Sequence, residues 1–521
     1  MAASTHAGSH VAERDRGAAA TGSASGGPAD LGQQRRSSVR RFGRLLRRSH
    51  LLFGLIFGAG VLLRIATVLA YRPAFIYPDS GYYLAFTATH KPGDSRVTGY
   101  SLLMRPVLAA QGLDLVVILQ HLVGLLLGFV IYRFLLHWRC PRLWAAIAAL
   151  PVLLDPLQVV LEHYVLTDVP AEFLMTAGLV LLGWRRRTPG AESPDHSGWV
   201  VAGVTGLLFS AATLVRSASV LLIVIAVGYI VLSRPTWRRR IGHAVIACLA
   251  FITPIAAYAG WMHNVRGSYS LTHGWSGHFL YGRVAQFADC TGLSLPANER
   301  SLCPRNPTPA EQNYYMWDLS SPQWKLQKKL GVSSTQANAI LTDFGRRIVL
   351  HQPGAYAETV GKDFLANFDY HRTRGPENLR AWYFTYQKTY PADPVASQKT
   401  VDTYGGSDVV VHPVLTTPLH LYGNFFTPGI LPGIGLLLSL LAGAGLTRRA
   451  RRSGMRLVSL LIGVGLVVVL LVPAALSAFS LRYTISVLPL GIMAGVLGVT
   501  ALLTRRGLIT APDTQTADPT T

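Results

Sequence analysis

The sequence predicts an all-α polytopic membrane protein with about ten transmembrane helices and one large insert on the outer side. Three observations lead there. Half of the 521 residues are hydrophobic, apolar stretches near membrane-crossing length recur along the chain, and arginine clusters mark alternate ends of those stretches.

Composition sets the class. Only 14% of the residues are charged and the mean hydropathy is +0.32, a balance too apolar for an ordinary soluble domain. A formal charge of +22 could speak for nucleic acid, yet the arginines form no stripe interleaved with aromatics. They sit in short clusters beside apolar runs, which is the signature of orientation in a bilayer and not of nucleic-acid binding. Four cysteines without a C-x-x-C pair give neither a disulfide scaffold nor a zinc or thiol-exchange site.

Taken in order, residues 1–50 read as a disordered, basic cytoplasmic N-terminus. Residues 1–34 are rich in Ala, Gly and Ser without apolar period, and Arg35, Arg36, Arg40, Arg41, Arg44, Arg47 and Arg48 follow. The stretch 51–71 is too long for a signal-peptide core and ends in no small-residue cleavage site, so it reads as the first span. Further spans are expected near 115–136, 143–161, 169–184, 199–215, 218–233, 241–262, 425–446, 457–479 and 481–503. With the N-terminus inside, Arg139 and Arg142, Arg185 to Arg187, Arg238 to Arg240, the cluster Arg448, Arg449, Arg451 and Arg452, and Arg505 with Arg506 all fall inside. The short segments 199–215 and 218–233, joined by Arg216 and Ser217, are two spans or one re-entrant hairpin; either choice leaves the parity unchanged.

The chain therefore divides into an N-terminal transmembrane module 51–262 with a first outer loop 72–114, an outer insert 263–424, a C-terminal transmembrane module 425–505, and a disordered cytoplasmic tail 506–521. The expected location is the plasma membrane, multi-pass, with both termini cytoplasmic. An insert of that size is too long for a structureless connector and should fold as a small domain or capping layer. Ile340, Leu341, Phe344 and Ile348 at helical spacing predict a helix over 333–351, and a second over 354–368 after Pro353. Cys290 and Cys303, with twelve residues between them on the oxidising side, fit a disulfide; Cys140 and Cys248 are expected reduced.

Chemistry is sought on the outer face. Ile76-Tyr77-Pro78-Asp79-Ser80-Gly81-Tyr82-Tyr83-Leu84 follows the first span, and Gly99-Tyr100-Ser101-Leu102-Leu103 comes after a short gap. An acid among tyrosines at a membrane edge suggests bound substrate, although Asp79 or Ser80 could equally cap a helix starting at Gly81. Asp168, in His163-Tyr164-Val165-Leu166-Thr167-Asp168, returns to the same level and carries the same two readings, since Thr167 or Asp168 could open a helix at Val169-Pro170. Arg216 and Arg482 each stand alone at an outer turn, where the orientation rule asks for no arginine; the alternative for both is snorkelling to lipid headgroups. The stretch His273-Gly274-Trp275-Ser276-Gly277-His278-Phe279-Leu280-Tyr281-Gly282-Arg283 opens the insert, and its aromatics suit a sugar-stacking wall or packing at the membrane interface. No H-E-x-x-H, P-loop or G-x-S-x-G supports protease, ATPase or hydrolase chemistry.

The PDSGYYL and GYSLL stretches, HYVLTDVPAEF, the LVRSAS turn and FSLRYTISVLPL resemble, in that order through most of 51–505, the GT-C superfamily of polyprenyl-phosphate-dependent glycosyltransferases. That superfamily includes protein mannosyltransferases and aminoarabinose transferases (family 39-like). The resemblance implies a GT-C-like fold and a sugar transferred from a polyprenyl-phosphate donor to an extracytoplasmic glycan, lipid or protein. It implies Asp79 as the base, while the chemistry asks for a second carboxylate orienting acceptor or sugar, Asp168, and for cations on the phosphate, Arg216 and Arg482. Tyr82, Tyr83, Tyr100, His163, His273, Arg283 and Tyr483 would be further substrate contacts. Protein mannosyltransferases carry an Asp-Glu pair where this chain has Asp79 alone, so their acceptor is not carried over. No cofactor is required; a divalent metal stays open, but no carboxylate cluster demands one. Competing readings are a polyprenyl-diphosphate-dependent polymerase or ligase, and a lipid or glycan transporter without chemistry. The absence of an internal repeat and the gathering of polar residues at one face weigh against the transporter.

Overall fold

A computed structural model describes residues 50–89, 91–184, 196–233, 236–304, 312–369, 384–390, 394–425, 427 and 429–503. The expected disorder of the N-terminus and tail, the first arginine cluster, Arg185 to Arg187, and Arg505 with Arg506 lie outside these residues. The fold is all-α, and the chain is a multi-pass membrane protein. Among the described residues six helices are long and apolar enough to cross a bilayer: Leu51–Ala70, Leu113–His137, Gly198–Val215, Trp237–Arg266, Arg456–Leu476 and Leu481–Leu503.

The other four expected spans differ in form. The segment 143–161 is a broken span, Arg142–Leu154 followed by Pro156–His163 at 45°. The segments at 218–233 and 425–446 become the shorter apolar helices Ser217–Ser233 and Ile430–Ala444, the latter closed by Gly445 at φ 70°. The segment at 169–184 is the 16-residue helix Asp168–Gly183, which carries Asp168 and Glu172 buried in its first turns.

The break has a local cause. Pro156 has no N–H to return to Val152 O, and the Leu157 N–H is diverted to Asp155 Oδ1 at 2.8 Å, leaving Leu153 O without its helical donor. Arg64, buried in the first span, answers both carbonyls, with Nη2 to Val152 O at 2.9 Å and Nη1 to Leu153 O at 2.8 Å. Its charge is met by buried Glu162, through Nε to Oε2 at 2.8 Å and Nη2 to Oε1 at 2.7 Å. Freed backbone groups at membrane depth are thus re-satisfied by a neighbouring helix, as an apolar solvent demands.

In the C-terminal module Ile430–Ala444 and Leu481–Leu503 approach through small residues. A Cβ on Gly435 would lie 1.9 Å from Gly491 O, so the two backbones touch only because no side chain intervenes. The insert has its own apolar core of Tyr281, Leu302, Tyr315, Leu341, Phe344 and Ile348, separate from that of the spans. Its helix Ser334–His351 starts at a capping box of Ser333 and Gln336, and Pro353–Ala366 follows with Pro353 in its first turn, close to the two predicted ranges. Cys290 and Cys303 are joined as a disulfide. A two-stranded antiparallel sheet, Tyr71–Arg72 with Val410–Val411 (Tyr71 opposite Val411), ties the end of the first span to the end of the insert.

Candidate active site

The loop after the first span is stitched to the turn that precedes Asp168. Phe75 N–H donates to His163 O at 2.9 Å, Val165 N–H donates to Phe75 O at 3.1 Å, and Ser80 Oγ donates to Val165 O at 2.9 Å. Pro78 starts the helix Pro78–Thr89, and Ser80 Oγ also accepts the Tyr77 N–H at 2.9 Å. The helix therefore begins at Pro78, not Gly81, and Asp79 is spared the capping role that the sequence left open to it.

Asp79 lies instead between two guanidinium groups. Arg96 Nη2 stands 3.3 Å from Oδ1, and Arg482 Nη2 stands 2.9 Å from Oδ2. Burial pushes the Asp79 carboxyl upward, but Arg482 and Arg96 together outweigh that and hold its pKa below the ordinary carboxylate value. Burial and the Asp79 charge push the neighbouring Tyr83 phenol upward, so it stays neutral at physiological pH. A second pair lies alongside: Arg216 Nη1 is 2.5 Å from Asp168 Oδ1, while buried Asp168 Oδ2 has no hydrogen-bond partner among the described residues. The helix Asp168–Gly183 has Thr167 at its N-cap position without a side-chain cap bond, and Asp168, in its first turn, holds the ion pair. The two pairs meet at one ring, with Arg216 Cζ 4.4 Å and Arg482 Cζ 5.4 Å from the Tyr483 centroid.

These groups border a cavity of about 970 Å³. Asp79, Tyr82, Tyr83, Arg216, Arg482 and Tyr483 line it, together with Arg96. One wall is apolar, with Val220, Val472, Pro473 and Leu476; another comes from the insert, with Phe279, Tyr314, Trp317 and Asp318. Asp168 is not on the lining and reaches it through Arg216. Among the described residues no group of three or more His, Cys, Asp or Glu side chains is placed to hold a metal ion.

Four expected contacts stand elsewhere. Tyr100 is buried and gives its hydroxyl to Gln120 Oε1 at 2.8 Å. His163 is buried between His121 and the Tyr71 carbonyl, 3.2 and 2.9 Å away. His273 joins Ser268 Oγ to Thr335 Oγ1 at 2.9 and 3.1 Å. Arg283 is fully buried in the insert and pairs with Asp363 at 2.5 Å. None of the four lines the cavity, each being held by the protein partners just named. Arg96, which sequence reasoning missed, carries the same signal as Arg216 and Arg482, a cation on a loop expected outside. Arg72, Lys91 and Arg105 share its loop, so nothing in the sequence singles it out.

Residues 116–273 match the family model described as dolichyl-phosphate-mannose-protein mannosyltransferase. The matched stretch contains Asp168 and Arg216 and leaves out Asp79, Arg96 and Arg482. The match is consistent with the GT-C resemblance and points to a membrane glycosyltransferase of the kind that uses polyprenyl-phosphate sugars. No curated protein and no solved structure matches the chain.

Proposed function

We propose that this protein transfers a hexose or pentose from a polyprenyl phosphate to a hydroxyl of an extracytoplasmic glycan, lipid or protein, with inversion at the anomeric carbon. Asp79 is the base. The acceptor oxygen attacks the anomeric carbon, its proton passes to the Asp79 carboxylate, and the bond to the phosphate oxygen breaks with its electron pair leaving on the prenyl phosphate. A carboxylate is weak against a free alcohol, but the hydroxyl acidifies as the new bond forms, and positioned transfer is worth about 10²–10⁴ in rate. Arg216, Arg482 and Arg96 receive the phosphate, each with guanidinium donors beyond those used on its carboxylate or ring.

The observation that carries the reading is the charge balance of the two ion-paired clusters around Asp79 and Asp168. Arg96, Arg216 and Arg482 face two carboxylates, Asp79 and Asp168, leaving one positive charge over. That surplus suits the single charge of a phosphodiester donor better than the greater charge of a diphosphate. It also favours the second negative charge that appears on the leaving phosphate. Asp318 lies at the exposed insert side of the same cavity. The apolar wall beside the arginines suits the prenyl chain. Purified protein in lipid, given radiolabelled prenyl-phosphate and prenyl-diphosphate sugars with envelope acceptors, should transfer from the first. Transfer from the diphosphate alone would overturn the proposal.

The same reading places the protein in the cell membrane with both termini cytoplasmic and the insert outside, because Arg238 to Arg240 and Arg448 to Arg452 flank spans on one side. Ser320→Cys should then react with an impermeant thiol reagent in whole cells, and Arg449→Cys only after permeabilisation. The opposite pattern would reverse the orientation.

A further inference from the structure

We infer that the short helix Ser276–Val284, at the root of the insert, is a positioning element that holds in register both guanidinium groups flanking Asp79. The inference rests on the reading of Asp79 as base. Phe279 and Arg283 lie one helical turn apart on this helix, and each leads to one of the two arginines. The Phe279 ring is 5.2 Å from Arg96 Cζ, and Trp317 adds a second ring at 5.6 Å. Arg283 pairs with Asp363 at 2.5 Å, and Asp363 Oδ2 also accepts the Phe479 N–H at 3.3 Å, in the turn that leads into Arg482. Two more bonds fasten the end of the preceding span and the start of the next to Pro353–Ala366 and the residue after it: Tyr356 Oη to Ala475 O at 3.0 Å, and Thr484 Oγ1 to Asn367 Oδ1 at 2.8 Å.

The helix itself has little room to slide. A Cβ on Gly277 would stand 2.2 Å from Asn338 O, and one on Gly282 would stand 2.6 Å from Met316 Cγ. The Arg96 loop is pinned from the same root, through Arg266 to Asp94 at 3.1 Å and His273 N–H to Asp94 O at 2.8 Å. A displacement of this helix therefore reaches Asp79 from two sides. The groups that face Asp79 are Arg96 from the first loop, Arg482 and Tyr483 from the last span, and Tyr83 from its own helix. Loosening Arg96 removes part of what holds the carboxyl pKa down.

The test compares Phe279→Leu, Arg283→Met and Arg283→Lys with the unaltered protein in lipid, reading kcat and KM for each substrate across pH. Small misplacements near reacting groups cost up to about 10²-fold, so Phe279→Leu and Arg283→Met should lose about tenfold or more in kcat. For Arg283→Met, which lies off the cavity lining, acceptor KM should stay within about twofold, since uniform binding is untouched. Phe279→Leu should also move the acid limb of kcat/KM to higher pH, and Arg283→Lys should restore most of the turnover. Folded variants with unaltered kcat and acid limb, or with a raised KM alone, would sink the inference. Should Arg283→Met not fold, Phe279→Leu decides by itself. Asp79→Asn run in parallel separates the two ideas. Near-normal transfer by that variant removes the base reading, whereas its inactivity beside an unaltered Phe279→Leu profile removes only the positioning role.

Discussion

Arg216 and Arg482, from two different turns between helices, stack on the same aromatic ring, their Cζ atoms 4.4 and 5.4 Å from the Tyr483 centroid. The ring fixes the spacing of two like charges that would otherwise repel. Each such contact is worth about 0.5–2 kcal/mol depending on solvation. Tyr483→Phe should therefore behave nearly as the unaltered protein, while Tyr483→Leu should raise donor KM by about threefold to thirtyfold. Steady-state kinetics with varied donor in lipid would check this, and equal effects of Phe and Leu would point to the hydroxyl instead.

Asp79→Asn keeps the volume of the side chain and its place in the first helical turn, but removes the proposed base. The variant should fold, bind donor and lose about 10²-fold or more in turnover. In the unaltered protein, against the upward push of burial, Arg482 and Arg96 hold the Asp79 carboxyl pKa below its ordinary value, so it stays ionised to somewhat lower pH than a free carboxyl. Its contribution to stability is therefore present above the unfolded carboxyl value of about 3.9 and fades as pH falls through the lower folded value. Arg96→Gln removes one of the two charges responsible, so the acid limb of kcat/KM should shift to higher pH. An unmoved limb in a folded, active Arg96→Gln protein would contradict the electrostatic account.

Asp168 is almost fully buried and Arg216 largely so. Removing one partner leaves a charge in a poorly solvated place, at a cost of about 3–5 kcal/mol for a buried pair. Arg216→Gln should therefore lower the melting temperature in detergent more than Asp168→Asn with Arg216→Gln together. Differential scanning fluorimetry would show the rescue, and additive losses would deny the coupling.

Reduction of the Cys290–Cys303 bond should loosen the insert ahead of the spans. A loop with this sequence separation of 13 residues contributes about 3 kcal/mol in the chain-entropy description. Limited proteolysis with and without reductant should show new cleavage confined to 263–424.

How far the sequence reaches depends on whether a residue's role is set along the chain or across it. Span positions follow from hydropathy alone, so the apolar segments appear close to where they were expected. Asp79, Arg216 and Arg482 were legible because each is a charge in a place where the bilayer gives no reason for one. Tyr100 and His163 share that neighbourhood in sequence, yet point into protein, because the turns and hydrogen bonds that aim them come from Gln120, His121 and the Tyr71 carbonyl. Arg96 was illegible for the converse reason. Its importance comes from Phe279, Trp317 and Asp79, which only the folded chain brings to it.

The 45° break before Pro156 has a mechanical consequence. The helix Pro156–His163 is eight residues and so about 12 Å long, and turning it by 45° carries its far end sideways by about 8 Å. That far end is where His163 and Val165 grip Phe75 in the Asp79 loop. The helix is a crank arm, and Arg64, braced on Glu162 and on the Val152 and Leu153 carbonyls, sits at its pivot. A substitution that straightened the arm would swing the grip far beyond hydrogen-bond reach, so Arg64, by bracing the break, holds in place a grip on the Asp79 loop that it does not itself touch.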